Sequence, residues 1–158
     1  MKSGCRLVLT AVLLMGVASP VTAQVTFSRC LSQAEALTEQ LVRHGVFLRE
    51  AGNRCVDYNS ATAKLWKDFD TKFGVRMKQQ TDKRTKLFTR QFKDKAVQVT
   101  TYFDGRLVTY HRHYPLSASY CGHVEDLLKE ANKRGWAGFT DQAKTVQNEV
   151  LMDYKVCQ

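Results

Sequence analysis

The chain lacks a Cys-x-x-Cys pair, a nucleophile elbow, a phosphate-cradling glycine loop and the paired-histidine helix motif of zinc proteases. Those absences remove support for dithiol redox chemistry, elbow-type serine hydrolysis, P-loop nucleotide binding and metalloprotease action. No repeat, low-complexity linker or composition break divides the sequence, and nothing after the N-terminal apolar run is long enough to span hydrocarbon. Acidic residues are comparatively scarce, 15 Asp and Glu against 24 Lys and Arg, a formal charge of +9.

What is present starts with a leader. Lys2 and Arg6 precede the uncharged apolar run from Leu7 to Ala18, and Val21-Thr22-Ala23 supplies the small-residue pattern of a cleavage site. This order reads as a secretory signal over residues 1–23, cleaved near Ala23, with a mature chain bound for the periplasm or the cell exterior. An uncleaved anchor is the competing reading, but the apolar run falls well short of the roughly 20 residues that a spanning helix needs. Cys5 lies ahead of that run and away from the cleavage point, a poor position for a lipid anchor. Residues 24–158 then suit one domain with a modest core. Losing Lys2 and Arg6 leaves a formal +7, which draws the mature chain toward anionic surfaces or polymers.

Cys30, Cys55, Cys121 and Cys157 remain, an even number that implies two disulfides in an exported protein. Cys30 with Cys157 would clamp both ends, and Cys30 with Cys55 would staple a helix start to the following turn; sequence does not choose between them. Spacings of 25, 66 and 36 contain no close cysteine pair of the kind structural zinc modules use.

Helical periodicity opens the mature chain. Ser32 and Glu35 form a capping-box signature, and Leu31, Ala34, Leu37, Leu41, Val42 and Leu48 recur near helical spacing, with Gly45 as a point of bending or breakage. Ala51-Gly52-Asn53 reads as a turn, after which a second helix beginning past Ser60 carries Leu65, Trp66, Phe69 and Phe73. Residues 72–95 hold nine Lys or Arg against Asp82 and Asp94, so this segment alone accounts for the excess charge of the mature chain. Phe73, Met77, Leu87, Phe88 and Phe92 fit one interrupted helix or two short ones with a basic outer face. Such a face is either simply solvated or a contact for lipid, phosphate or an acidic protein.

Residues 95–116 give the clearest secondary-structure signal. Two runs rich in β-branched and aromatic residues flank Asp104-Gly105, the pair favoured by a two-residue hairpin turn. In that register Phe103 faces Arg106, Val99 faces Tyr110 and Val97 faces Arg112, while His111 and His113 share the opposite, more polar face near solvent. A helix follows, capped near Ser119, with Val124, Leu127, Leu128 and Ala131 on one stripe and Gly135 as its stop. A last helix capped by Thr140 or Asp141 and a short extended tail complete an α+β reading: a helix-rich single domain with a two-stranded antiparallel β-hairpin, stabilised by two disulfides.

Two histidines separated by one residue on a strand can ligate one metal, and His123 follows as a third candidate for a zinc site with an open position. A hydrolytic reading would use one of His111, His113 and His123 as a general base, with Ser117, Ser119, Tyr120, Glu125 and Asp126 nearby in sequence. A nuclease-like outline arises from the same histidines beside Arg112 and Lys95. Common residues in this arrangement favour neither a metal nor catalysis, and ordinary strand surface is the simpler reading. The favoured alternative is a non-enzymatic binding module without cofactor or small-molecule ligand, which contacts an acidic protein or an anionic envelope surface. Arg76, Lys78, Lys83, Arg84, Lys86, Arg90, Lys93, Tyr110 and Arg112 are its candidate contact residues. Nucleic acid is disfavoured as a partner by the exported location.

Overall fold

A computed structural model describes Phe27 and residues 30–158. The leader and its cleavage point lie outside the described residues. Five helices follow in order: α1 Gln33–Arg54, α2 Ala61–Phe92, α3 Ala96–His113, α4 Ala118–Ala143 and α5 Gln147–Asp153, with single 3-10 turns after α1, α2 and α4. Among the described residues there is no β-strand; the one extended pairing is an isolated parallel bridge between Leu31 and Val156. No described helix is long and apolar enough to cross a membrane.

α1 is the central element, packed against α2, α3 and α4. Its start follows the sequence signature, since Glu35 N–H donates to Ser32 Oγ at 3.3 Å and Ser32 N–H donates to Glu35 Oε2 at 2.8 Å. Gly45 does not break the helix. A Cβ there would lie 2.3 Å from Met77 Cε, so the missing side chain leaves room for the end of the Met77 side chain from α2. Ala51, Gly52 and Asn53, expected as a turn, form the last turn of α1 instead. The actual turn comes at Cys55–Asp57, and Asn59 Oδ1 accepts from Ala61 N–H at 3.0 Å as α2 begins. The basic segment is one continuous helix through Phe92, and it stops at Lys93, which adopts a positive φ of 50°.

The expected β-hairpin is replaced by α3. Ala96, Val99, Phe103 and His111 are buried at helical spacing, and Asp104, placed in the hairpin turn by sequence, points its carboxylate at Arg84 of α2. A two-stranded hairpin would have had no third strand to pair with, whereas the helix buries Ala96, Val99 and Phe103 on one stripe against α1 and α2. The residues left outside, such as Val97 at 79 % exposure, supplied the misleading β pattern. α4 is capped by Ser117 and not Ser119, with Tyr120 N–H donating to Ser117 Oγ at 3.1 Å. Gly135, at φ 70° and ψ -157°, leaves helical geometry where a stop was expected and divides α4 into two helical stretches across a kink, and Thr140 and Asp141 lie inside the second stretch and do not cap it.

Two apolar clusters result. One gathers Leu41, Leu48, Ala51, Phe69, Val124, Leu128, Ala131 and Phe139, and encloses the Cys55–Cys121 disulfide. The other gathers Leu31, Ala36, Leu87, Phe88, Val99, Phe103, Val150 and Tyr154. Beside it Cys30–Cys157 joins the two ends of the described chain, so of the pairings weighed from sequence the terminal clamp forms and the Cys30–Cys55 staple does not. Leu31 N–H donates to Lys155 O and Cys157 N–H to Leu31 O, both at 2.8 Å, which docks the extended tail.

Candidate functional site

Two surfaces bear on function, and a charged belt inside the molecule separates residues that sequence had grouped together. Arg84 belongs to the belt. It is 3 % exposed, donates through Nε to Glu39 Oε1 at 2.6 Å and also pairs with Asp104. Burial disfavours its charge, but Glu39 and Asp104 more than offset that effect and its pKa is raised. Arg43, one helical turn beyond Glu39, donates to Asp153 Oδ2 at 2.6 Å and to the Glu149 carbonyl at 3.2 Å. The belt thus ties α1, α2, α3 and α5 together, and Arg84, expected as a partner contact, is held in the interior.

On the outward side of α2, 3.6 residues per turn bring Lys72, Arg76, Lys83, Lys86 and Arg90 into one stripe within an arc of about 80°. All but Arg84 among the basic residues expected there are exposed. Arg90 pairs with Glu35, and the Arg76 guanidinium lies 5.7 Å from the Trp136 ring centroid. Lys72, Lys83 and Lys86 make no ion pair among the described residues. Lys78 sits off the stripe, 2.9 Å from both oxygens of Asp82, and Lys93 stands beyond the helix end.

The second surface is a groove between α3 and the arm formed by α4, the 144–146 turn and α5, with α1 as its floor. Two adjoining cavities of about 360 and 530 Å³ share Arg43, Tyr110, His111 and Glu149. No residue of α2 lines them, so the groove and the basic stripe are separate faces. The inner cavity adds His44, Phe47, Tyr114, Tyr120 and His123. Ring centroids lie 6.0 Å apart for Tyr110–Tyr114, 4.9 Å for Tyr114–Tyr120 and 5.4 Å for Phe47–His111, giving a nearly continuous aromatic wall. Burial raises the Tyr120 pKa, keeping the phenol neutral.

The strand expectation put His111 and His113 together near solvent; the helix turns them apart. His111 is 7 % exposed and faces the groove, with its pKa lowered by burial against a smaller opposing effect of Glu50. His113 is exposed and bonds the Thr109 carbonyl through Nδ1 at 2.9 Å. His123 reaches the groove rim from α4. Among the described residues no three His, Cys, Asp or Glu side chains come together as a metal-ligand set. Ser117, offered as a partner for a general base, is occupied in capping α4.

Tyr110, expected beside the basic segment, belongs to the groove, at 61 % exposure. Arg112 donates through Nε to Glu50 Oε2 at 2.9 Å. Sequence reasoning missed His44 altogether. It is 2 % exposed, and its Nε2 lies 3.1 Å from Gln142 Oε1. The spacing His44-Phe47 in α1, with Leu107-His111-Tyr114 and Tyr120-His123-Leu127, is the helical signal that would have gathered these rings on facing stripes. No family model, curated protein or solved structure matches this chain.

Proposed function

We propose that this chain is an exported, non-enzymatic binding module that docks an acidic protein through the outward stripe of α2. The observation that carries the reading is the alignment of Lys72, Arg76, Lys83, Lys86 and Arg90 on one rigid helix face, with three of the five free of ion pairs among the described residues. Unpaired cations on a preformed surface accelerate encounter with an acidic partner and fix its orientation. Two disulfides accord with an oxidising compartment, the periplasm or the exterior. A lipid surface is less well matched, because an interfacial helix needs an apolar face beside its cations and Val75 is the one large exposed hydrophobic of α2.

The test is capture of a stoichiometric partner by the oxidised protein from envelope extract, followed by titration with the purified partner. Lys72→Glu/Lys83→Glu/Lys86→Glu should abolish binding without unfolding the chain, and wild-type affinity should fall steeply with salt. Retention of full affinity by the reversed variant, or binding only to anionic vesicles, would sink the reading. Arg84 must be left intact, since reversing it would break the interior belt.

A further inference from the structure

α3 is packed on one side only. It rests on α1 and α2, and no comparable contact closes the side that faces the α4–α5 arm. On that open side Tyr102, Arg106, Tyr110 and Tyr114 recur every fourth residue along α3 and into its cap, each one helical turn above the last. Met152 of α5 shares the outer cavity with Arg106 and Tyr110. The Arg106 guanidinium lies 5.8 Å from the Tyr102 ring centroid, and the Tyr110 and Tyr114 ring centroids are 6.0 Å apart, so the stripe is continuous. All five side chains are exposed.

Composition sets this face apart. α3, its cap and α5 hold no lysine, although the chain as a whole is rich in it. Docking surfaces are enriched in Tyr, Met and Arg and depleted of Lys in the same way. The three tyrosines and Met152 leave about 450 Å² of side-chain surface open, close to the apolar share of an interface that buries about 800 Å² on each partner. Charge selects the occupant. Residues 72–95 carry the whole excess charge of residues 24–158, so two copies of this chain repel most strongly at α2. The α3–α5 face instead sets Arg106 and Arg112 against Asp104, Glu149 and Asp153, and Asp153 pairs with both Arg43 and Arg106. An acidic partner finds no excess of cations there, whereas a second copy meets a face close to neutral. We propose that this face docks a second copy of the chain about a two-fold axis, with Tyr102, Arg106, Tyr110 and Met152 at the centre of the contact. The pairing is independent of the α2 stripe, since no residue of α2 lines the groove.

Sedimentation velocity of the oxidised protein, from low micromolar to submillimolar concentration, should show a reversible monomer–dimer equilibrium that salt does not weaken. Concentration-dependent amide NMR shifts should fall on α3, its cap and α5. Tyr110→Glu/Met152→Glu replaces two exposed side chains and should weaken the dimer at least tenfold while the helical circular dichroism stays unchanged. Lys83→Glu/Lys86→Glu should leave the dimer intact, which separates this contact from docking at α2. A chain that stays monomeric throughout, shifts on other faces, or a dimer untouched by Tyr110→Glu/Met152→Glu would each overturn the proposal. So would a monomer that takes an amphipathic helical peptide into the groove, because the face would then belong to a different protein. If the double variant fails to fold, the wild-type concentration dependence and the location of its shifts decide the matter alone.

Discussion

The cluster around Phe69 and Phe139 and the cluster around Phe88 and Tyr154 each have a disulfide beside them, but the bridges are built into their surroundings differently. Cys55 and Cys121 are fully buried within the first cluster, whereas Cys30 and Cys157 sit partly exposed where the tail docks on the second. Between the clusters α1 carries Glu39, Arg43 and His44, all buried, where a uniform core would carry leucines. A continuous apolar seam would let α2 slide along α1 by a turn at little cost. The Glu39–Arg84 pair favours one alignment, because any other takes Arg84 from Glu39 and Asp104 and leaves Glu39 only its 3.5 Å contact with Arg43. The difference between the apolar ends and the charged middle is thus a division between cohesion and register.

The largest effect should come from breaking the middle. Arg84→Met should lose about 3 kcal/mol in urea denaturation, because the buried Glu39 carboxylate then keeps only its 3.5 Å contact with Arg43. Glu39→Leu/Arg84→Met should recover a substantial part of that loss; a double variant as unstable as the single one would refute the register argument. The ends can then be set against each other. Loop closure alone assigns about 4.4 kcal/mol to Cys55–Cys121 and about 4.9 kcal/mol to the longer Cys30–Cys157 loop. Cys55→Ala/Cys121→Ala also opens a void in a packed core, so its loss should exceed that of Cys30→Ala/Cys157→Ala by about 1 kcal/mol. Hydrogen exchange should show residues 154–158 fraying only in the terminal variant.

Acid sharpens the contrast further. Burial lowers the His44 pKa to about 4, against a partial opposing contribution from its bond to Gln142 and a smaller lowering by His111. Between pH 6.5 and 4 the unfolded chain takes up a proton that the folded chain refuses. Stability is therefore full above about pH 6.5 and falls by about 3 kcal/mol on acidification through that window. His111, shifted in the same direction, adds to the loss. His44→Leu should flatten this part of the pH profile, and an unchanged slope would show that His44 is not its source. The smallest effect belongs to the outer surface: Lys83→Glu/Lys86→Glu should shift stability by less than about 0.5 kcal/mol, while partner binding is lost.

Much of the scaffold was legible in the residues themselves. Ser32 and Glu35 announced the start of α1, the aromatic spacing from Trp66 to Phe73 announced α2, and Gly135 marked a real break in helical geometry. Asp104-Gly105 misled because turn chemistry is a local preference, while Arg84, twenty residues earlier, claims Asp104 through a contact that no local pattern displays. The same blindness hid the interior. A polar stretch such as Thr38-Glu39-Gln40 reads as a solvent face, yet it is buried because helices close on α1 from several sides. The basic stripe was visible apart from Arg84. The groove was not, since it depends on α3 being a helix.

The terminal bridge has a mechanical meaning as well. A pull applied at the two ends passes from Cys30 to Cys157 through one sulfur–sulfur bond, and the 127-residue span between them lies in a shunted loop that carries no tension. The helices, the belt and the groove would keep their shape under a load that extends an unbridged bundle. Reduction of that single bond would hand the whole force to the folded chain.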